Sequence, residues 1–379
     1  MNRRASAFEL GGHPLQYREF GNTGVKLSAL GFGAMRLPQD EEYAVEVIRR
    51  SFELGVNYLD TARGYGESER ICGRALKGWR DKVYVSTKNP LQDNTVEGWW
   101  SRLNTSLETL DIDCIDFYQV VHSLRWQNYE EFLVQGGGME AVRKARDQGL
   151  IKHVCFSCHD TPENMIKLID TGEFEGMTVQ YNLLDRRNEI AIAHANACGM
   201  GVIVMGPVGG GRLAAPSEQI RKLIPTPVAS NAEIALRFVL SNPNVTCAIS
   251  GMNTIEMVEE NAAVASREEP LTLEEKKAVE AALAEVQRLS DLYCTGCRYC
   301  MPCPNEVNIP ENFRLMNLHR LYGLTEYARA GYRSMSNPER PKRGKRAEDC
   351  VECGECEPKC PQNIPIIAQL KEVARELGS

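Results

Sequence analysis

The sequence has 379 residues, of which 43% are hydrophobic, 25% charged and 7% aromatic, and this ordinary globular composition excludes a disordered or fibrous chain. With a formal charge of −7, the chain lacks the positive electrostatic field that binds nucleic-acid phosphates, so we expect no nucleic-acid partner. No stretch approaches the roughly 20 apolar residues that span a bilayer, and the chain starts without the apolar segment of an export signal. We therefore expect no membrane partner and a cytoplasmic location.

Short apolar runs alternate with amphipathic stretches between Val25 and Ala265. Eight runs are candidate strands: Ser28–Phe32, Asn57–Leu59, Val83–Ser86, Ile115–Val121, His153–Phe156, Met177–Gln180, Gly201–Met205 and Thr246–Ile249. Helical patterns follow them at Tyr43–Leu54, Ser68–Lys77, Val96–Leu110, Met139–Gln148, Pro162–Asp170, Glu189–Ala197, Asn231–Leu240 and Ile255–Ala265. Eight β-α units predict a (β/α)8 TIM barrel, in which the chemistry lies at the C-terminal ends of the strands. A doubly wound sheet is the weaker alternative, because no G-x-G-x-x-G follows the first strand.

Polar residues cluster at the ends of several candidate strands. Asp60 and Tyr65 follow the second strand, Lys88 ends the third and His122 follows the fourth. This quartet resembles the catalytic tetrad of the aldo-keto reductase family. Further agreement lies in Gly31-Phe32-Gly33, Val179-Gln180-Tyr181-Asn182 and Glu259-Glu260-Asn261, so that the resemblance covers roughly residues 17–267. It implies a nicotinamide-dependent oxidoreductase that interconverts a small-molecule carbonyl and an alcohol.

The resemblance also implies a role for each member of the quartet. A free tyrosine has a pKa of about 10 and donates its proton poorly at neutral pH unless its anion is stabilised. Lys88 would stabilise the anion of Tyr65, Asp60 would keep Lys88 charged, and His122 would orient the substrate carbonyl. Taken singly, each of these residues has an ordinary structural explanation. Asp60 could cap a helix, Tyr65 could pack at the edge of the core, Lys88 could be a surface cation, and His122 could be a hydrogen-bonded histidine.

A set of contacts to the nicotinamide nucleotide is implied as well. It comprises Gly33, Met35, Ser157, Gln180, Met205, Gly206, Pro207, Val208, Gly210, Gly251, Asn253, Glu260 and Asn261. Met205 stands where relatives stack an aromatic ring on the nicotinamide. Gly251 and Met257 stand where NADPH-using relatives carry cations for the ribose phosphate. NAD(H) is therefore expected to be preferred over NADP(H), because a 2′-phosphate would lose charge-assisted hydrogen bonds.

Cys158 occupies the position of a family asparagine and forms a C-x2-C pair with Cys155. A dithiol or metal site is one interpretation of this pair. Packing of Cys155 inside the strand, with Cys158 merely filling the asparagine position, is the favoured one.

Eight of the fourteen cysteines lie in two groups near the C-terminus: Cys294, Cys297, Cys300 and Cys303, then Cys350, Cys353, Cys356 and Cys360. The second group has the C-x2-C-x2-C-x3-C-P pattern of bacterial ferredoxins, in which the fourth cysteine of each group binds the other cluster. This predicts two 4Fe-4S clusters, one held by Cys294, Cys297, Cys300 and Cys360 and the other by Cys350, Cys353, Cys356 and Cys303. The spacer before Cys303 is one residue short, which leaves the assignment open. Zinc sites and disulfides are less favoured alternatives.

The predicted organisation is an N-terminal extension over residues 1–16, a barrel over 17–270, a connecting helix over 271–292 and a cluster domain over 293–379. The segment between the two cysteine groups has helical periodicity, and the domain resembles the α-helical dicluster ferredoxins. The fold class expected is α/β, a TIM barrel followed by a small, mostly α-helical dicluster ferredoxin domain.

Three functions remain open, because nicotinamide transfers two electrons, each cluster transfers one, and no flavin motif is readable. The clusters could exchange electrons with a ferredoxin or flavodoxin partner, they could be structural in a carbonyl reductase, or the barrel could be a nucleotide- or redox-sensing regulator. A basic segment is either a solvated loop or a docking site for an acidic electron carrier, and its cations are Arg333, Arg340, Lys342, Arg343, Lys345 and Arg346.

Overall fold

The structure, a computed structural model, describes residues 14–214, 217–224, 226–291, 294, 298, 300–335, 337, 344–360 and 364–378. These residues form two compact units. The first contains the chain up to Gly210 together with Ala235–Pro270, and the second contains Gly211–Ile234 together with the chain from Leu271 onward. The second unit therefore includes a segment from inside the range 17–270. The domain boundaries drawn from the sequence stay a prediction.

The first unit is built on a closed barrel of eight parallel strands. A short hairpin of β1 (Tyr17–Glu19) and β2 (Lys26–Ser28) precedes it. The barrel strands are β3 (Leu30–Gly33), β4 (Tyr58–Asp60), β5 (Tyr84–Lys88), β6 (Ile115–Gln119), β7 (Ile151–Cys158), β8 (Gly176–Gln180), β9 (Gly201–Met205) and β10 (Cys247–Ser250). Neighbours in the barrel are neighbours in sequence, and β10 closes it by pairing Ala248 with Leu30 of β3. The predicted TIM barrel is confirmed.

The β1–β2 hairpin, which was not expected from the sequence, covers the N-terminal end of the barrel. Phe20, which directly follows β1, is buried with its ring centroid 4.6 Å from that of Phe117. The first residues of β8 and β9, Gly176 and Gly201, leave room for this ring, because a Cβ would come within 2.1 and 2.3 Å of it. This end of the barrel is therefore filled by side chains and leaves the opposite, C-terminal end for chemistry.

Helices surround the strands of the barrel. They are α1 (Glu41–Glu53), α2 (Ser68–Leu76), α3 (Val96–Leu110), α4 (Trp126–Asn128), α5 (Gly138–Asp147), α6 (Pro162–Asp170), α7 (Glu189–Ala197), most of α9 (Asn231–Leu240) and α10 (Ile255–Ala265), with a π-helical segment at Tyr129–Gln135. The short helix α8 (Glu218–Arg221), which comes between α7 and α9 in the chain, belongs to the second unit. Polar side chains fix several helix starts, since Asp40, Thr95, Thr161 and Thr254 each accept a backbone N–H in the first turn. The eight helices expected from periodicity are present, and α4, α8 and the π-helical segment are additional.

The second unit is mostly helical, in agreement with the fold class expected. Its helices are α11 (Leu273–Asp291), α12 (Ile309–Tyr322), α13 (Thr325–Met335) and α14 (Ile366–Leu377), together with α8 and the start of α9. The segment 211–234 is bonded within this unit, since the Ser217 hydroxyl donates to the carbonyl of Tyr322 and the Thr226 hydroxyl donates to Glu275. Among the described residues, no helix is long and apolar enough to cross a membrane.

Candidate functional site

The C-terminal ends of the barrel strands bring several of the residues selected from the sequence to one end of the molecule. Asp60 is the last residue of β4, Lys88 of β5, Gln180 of β8 and Met205 of β9. Because all eight strands are parallel, these residues surround the same mouth.

Asp60 and Lys88 form a buried ion pair at this mouth. The Lys88 ammonium lies 2.6 Å from Asp60 Oδ1, and both side chains are almost fully buried, with 2% and 3% exposed. The ammonium also donates to the Thr61 carbonyl at 2.7 Å, and the Ser86 hydroxyl donates to Asp60 Oδ2 at 3.2 Å. Burial raises the pKa of Asp60, and Lys88 and Ser86 act against this rise.

Tyr65 and His122 lie beside this ion pair. The Lys88 ammonium is 5.0 Å from the centroid of the Tyr65 ring. The Tyr65 and His122 rings meet edge to face, with their centroids 5.8 Å apart and an angle of 80° between their planes. The structure thus brings all four members of the predicted tetrad together.

The surroundings set the protonation of both rings. Burial raises the pKa of Tyr65, while the charge of Lys88 and its hydrogen bond to the phenol lower it. Burial, reinforced by the charges of Lys88 and His159, lowers the pKa of His122 to about 4. At neutral pH the arrangement therefore offers a protonated phenol and an uncharged imidazole, which are hydrogen-bonding groups suited to a carbonyl oxygen.

Glu69 supports this arrangement and was not selected from the sequence. Its carboxylate is 1% exposed, accepts from the Thr87 hydroxyl at 2.7 Å and pairs with Arg63 at 3.2 Å. Thr87 precedes Lys88, and Arg63 lies in the loop that carries Tyr65. A signal was available, because an acidic residue stands on the apolar, buried face of α2.

Candidate nucleotide contacts surround the other side of the mouth. Ser157 on β7 is buried, and its Oγ accepts the backbone N–H of Ser123 at 3.0 Å. Gly206 has a φ of 63° and lies against Gln180, so that a Cβ at this glycine would come within 2.6 Å of the Gln180 amide oxygen. The positive φ favours glycine here, and a larger residue would also displace the Gln180 amide. Pro207 and Val208 follow in the same loop after β9, and Gly210 lies in the 3-10 helical segment Gly209–Ala214.

Cys155 and Cys158 lie in packed surroundings. Cys155 belongs to the apolar core of the barrel, and burial raises its pKa far above the ordinary value for a thiol. Burial also raises the pKa of Cys158 to about 12, and its sulfur accepts the backbone N–H of Asp160. Two thiols held in the protonated form do not suit dithiol exchange or metal binding.

The remaining nucleotide candidates follow β3 and β10. Gly33 ends β3 beside the Ser250 carbonyl, and Met35 is 63% exposed. Gly251 and Asn253 precede α10, and the amide of the buried Asn261 donates to the Ser250 hydroxyl at 3.2 Å. Glu260 precedes Asn261 on α10. The first turn of α10 carries Glu256 and no cation.

A second candidate site is a cavity in the C-terminal unit. Its walls include five cysteines: Cys300, Cys303, Cys350, Cys353 and Cys356. Apolar side chains, among them Val307, Ile309 and Leu370, complete the lining. Thiolates set in an apolar pocket are the donor set of 4Fe-4S clusters, so these residues fit the group.

The cavity joins Cys303 of the first cysteine group to Cys350, Cys353 and Cys356 of the second, as the crossover assignment requires. Cys300, which that assignment gives to the other cluster, also lines it. Cys294 and Cys360 are partly exposed and do not line this cavity. Cys297 lies outside the described residues, as do Arg340, Lys342 and Arg343 of the basic segment. Lys345 and Arg346 are paired with Glu306 and Glu348.

Known proteins resemble this chain in both parts. Residues 29–284 match the aldo/keto reductase family, and residues 293–364 match the 4Fe-4S dicluster domain. The uncharacterized oxidoreductase YqkF of Bacillus subtilis is 27% identical over 303 residues, which cover 70% of this chain and 96% of that protein. L-galactose dehydrogenase of Arabidopsis thaliana is 26% identical over 311 residues, which cover 73% and 97%.

Among solved structures, the holo form of aldo-keto reductase AKR11C1 from Bacillus halodurans is 28% identical, with a TM-score of 0.63 over 71% of this chain and 96% of that one. The fold, the arrangement at the barrel mouth and the match over residues 29–284 agree. The chain belongs to the aldo/keto reductase family of oxidoreductases and carries a C-terminal 4Fe-4S dicluster domain.

Proposed function

We propose that this chain is a nicotinamide-dependent enzyme that interconverts a small-molecule carbonyl and an alcohol at the C-terminal end of the barrel. The observation that carries the proposal is the buried Asp60–Lys88 pair beside the Tyr65 and His122 rings. When bound, the nicotinamide supplies a hydride to the carbonyl carbon or accepts one from the alcohol carbon.

Tyr65 moves the proton in this proposal. In reduction its phenol donates to the substrate oxygen as charge develops there, and in oxidation its phenolate accepts the alcohol proton. Burial keeps the phenol protonated at neutral pH, and Lys88 limits the cost of the phenolate that reduction leaves behind. His122, uncharged at this pH, orients the substrate oxygen by a hydrogen bond.

NAD(H) is the proposed nucleotide. Gly251 and Met257 offer no charge to a 2′-phosphate, and Glu256, which lies between them, is an exposed carboxylate whose pKa is lowered by hydrogen bonds at the start of α10. A negative charge at this position repels the second phosphate group of NADP(H). The same surroundings place no penalty on the free 2′-hydroxyl of NAD(H).

The eight cysteines of the C-terminal unit are proposed to hold two 4Fe-4S clusters with the crossover assignment given above. When bound, the clusters would carry electrons one at a time between the protein and a partner. The proposed partner is a ferredoxin or flavodoxin, whose acidic surface would be attracted by the other cations of the basic segment, Arg333, Arg340, Lys342 and Arg343.

Anaerobic mixing of the iron-loaded protein with NADH tests these assignments. We expect each NADH oxidised to give one electron to each of the two clusters and release a proton, which bleaches their visible absorbance without a carbonyl substrate. We also expect a panel of aldehydes and ketones to yield turnover. The Tyr65→Phe variant is the matched control, because it should lose turnover and keep bleaching. Turnover without bleaching would refute electron transfer through the clusters and would favour a structural role for them. Bleaching or NADH binding without turnover of any carbonyl would refute the proposed enzymatic activity.

A further inference from the structure

Three potential metal ligands lie together on the helices outside the barrel, apart from both sites described above. Asp170 is the last residue of α6, His194 lies in the last turn of α7, and Cys198 caps the C-terminal end of α7. His194 Nε2 is 2.6 Å from Asp170 Oδ1 and 3.8 Å from Cys198 Sγ. All three ligand atoms lie within 4.8 Å of one another.

The separation between His194 Nε2 and Cys198 Sγ is close to that of a tetrahedral zinc site, whereas the separation between His194 Nε2 and Asp170 Oδ1 is shorter. With Zn–N and Zn–S distances of about 2.05 and 2.3 Å, the nitrogen and sulfur of such a site lie about 3.5 Å apart. The corresponding nitrogen–oxygen separation is about 3.4 Å, so the Asp170 oxygen would have to withdraw by about 0.8 Å. The Asp170 side chain is 57% exposed and has room for this movement.

The helix positions preorganise the other two ligands. His194 and Cys198 are four residues apart, and the Cys198 N–H donates to the His194 carbonyl at 3.0 Å, so both side chains project from one face of α7. Little conformational freedom is lost when they bind one ion.

The electrostatics of this position favour a cation. The C-terminal ends of α6 and α7 both carry partial negative charge, and Asp170 adds a full one. A thiolate at Cys198 with the Asp170 carboxylate would balance the charge of a divalent ion. The nearby cation Lys167 instead contacts Asn164 and the Trp126 ring.

We propose that Asp170, His194 and Cys198 bind one zinc-type divalent cation, with a water molecule as the fourth ligand. The set of one nitrogen, one sulfur and one oxygen suits zinc and cobalt better than magnesium or calcium, which take oxygen ligands. Bound there, the ion would link α6 to α7. A simple His194–Asp170 ion pair, which leaves Cys198 out, is the competing explanation.

Zinc titration of the iron-loaded protein by anaerobic calorimetry tests the proposal. We expect one zinc per chain with no loss of iron, and at least tenfold weaker binding in Cys198→Ser and in His194→Gln. Cys114→Ser is the matched control, because Cys114 is a partly exposed barrel cysteine that is not one of the three proposed zinc ligands. This variant should bind zinc as tightly as the parent does. Cobalt gives a second readout, because a near-ultraviolet thiolate-to-cobalt band should appear in the difference spectrum and vanish in Cys198→Ser.

Three results would overturn the site: affinity unchanged in both variants, no binding by the parent protein, or zinc uptake that displaces iron. None of these three measurements depends on catalytic activity. Circular dichroism would show whether the Cys198→Ser and His194→Gln variants are folded.

Discussion

Replacing Lys88 with methionine tests how much the buried Asp60–Lys88 ion pair contributes to the stability of the fold, independently of catalysis. Methionine has nearly the same length as lysine but carries no charge, so the variant leaves the Asp60 carboxylate buried beside the apolar end of a side chain. The Thr61 carbonyl also loses its donor. The matched control is the double variant Asp60→Asn/Lys88→Met, in which neither charge remains.

Breaking one side of a buried pair costs about 3–5 kcal/mol, because the remaining charge has lost its partner but not its burial. For a unit of this size each kcal/mol lowers the melting temperature by about 2–4 °C, so Lys88→Met should melt about 6–20 °C below the parent. The double variant should recover most of this difference, since replacing both charges of a buried pair is often nearly neutral.

The pH dependence has a defined sign. Burial already raises the folded-state pKa of Asp60, and loss of Lys88 raises it further above the unfolded value of about 3.9. A raised folded pKa gives stability that is present at low pH and lost as pH rises through it. The defect of Lys88→Met should therefore shrink as pH falls from 7 toward 4.5.

Anaerobic thermal unfolding followed by far-ultraviolet circular dichroism, at several pH values, measures these differences. Equal melting temperatures for the single and double variants at pH 7 would refute the reasoning. A single-variant defect that grows on acidification would refute it as well.

Three further predictions concern the other parts of the two sites. Because burial lowers the pKa of His122 to about 4, kcat/KM for carbonyl reduction should stay level from about pH 5 to 9, and an acid limb near pH 6.5 in the profile would contradict this. The parent should bind NADH more tightly than NADPH, and Gly251→Lys/Met257→Arg should tighten NADPH binding by about tenfold or more in a fluorescence titration; tighter NADPH binding by the parent would contradict the preference. Cys303→Ser should lose about half of the iron measured per chain, the share of one cluster, whereas Cys72→Ser, in which the altered thiol lies buried in the barrel, should keep all of it.

The barrel was predictable because its strands and helices carry their own periodicity. Each of the eight strands lies within two residues of its predicted bounds. The β1–β2 hairpin was not predictable in this way, because its three-residue strands are too short for an alternating pattern and its position depends on space left by Gly176 and Gly201. That space is a tertiary property that no local pattern records.

In the candidate sites, too, the residues placed by local sequence patterns were predictable and the contacts made by tertiary packing were not. Strand-end positions identified Asp60 and Lys88, because parallel strands bring their C-terminal ends together whatever the details of packing. The sequence places Glu69 on the buried face of α2, but its contacts with Thr87 and Arg63 depend on the tertiary packing of α2. Likewise, the joining of residues 211–234 to the C-terminal unit rests on hydrogen bonds to Glu275 and Tyr322, which lie far away in sequence.

Turnover by Tyr65→Phe tests the central claim most directly. The variant keeps the ring that meets His122 and removes only the hydroxyl that donates the proton. We expect kcat for carbonyl reduction by NADH to fall by about 100-fold or more, the size of general acid catalysis, while the Kd for NADH stays within experimental error of the parent value. Turnover equal to that of the parent, with the same NADH affinity, would contradict the claim that this barrel reduces carbonyls through Tyr65.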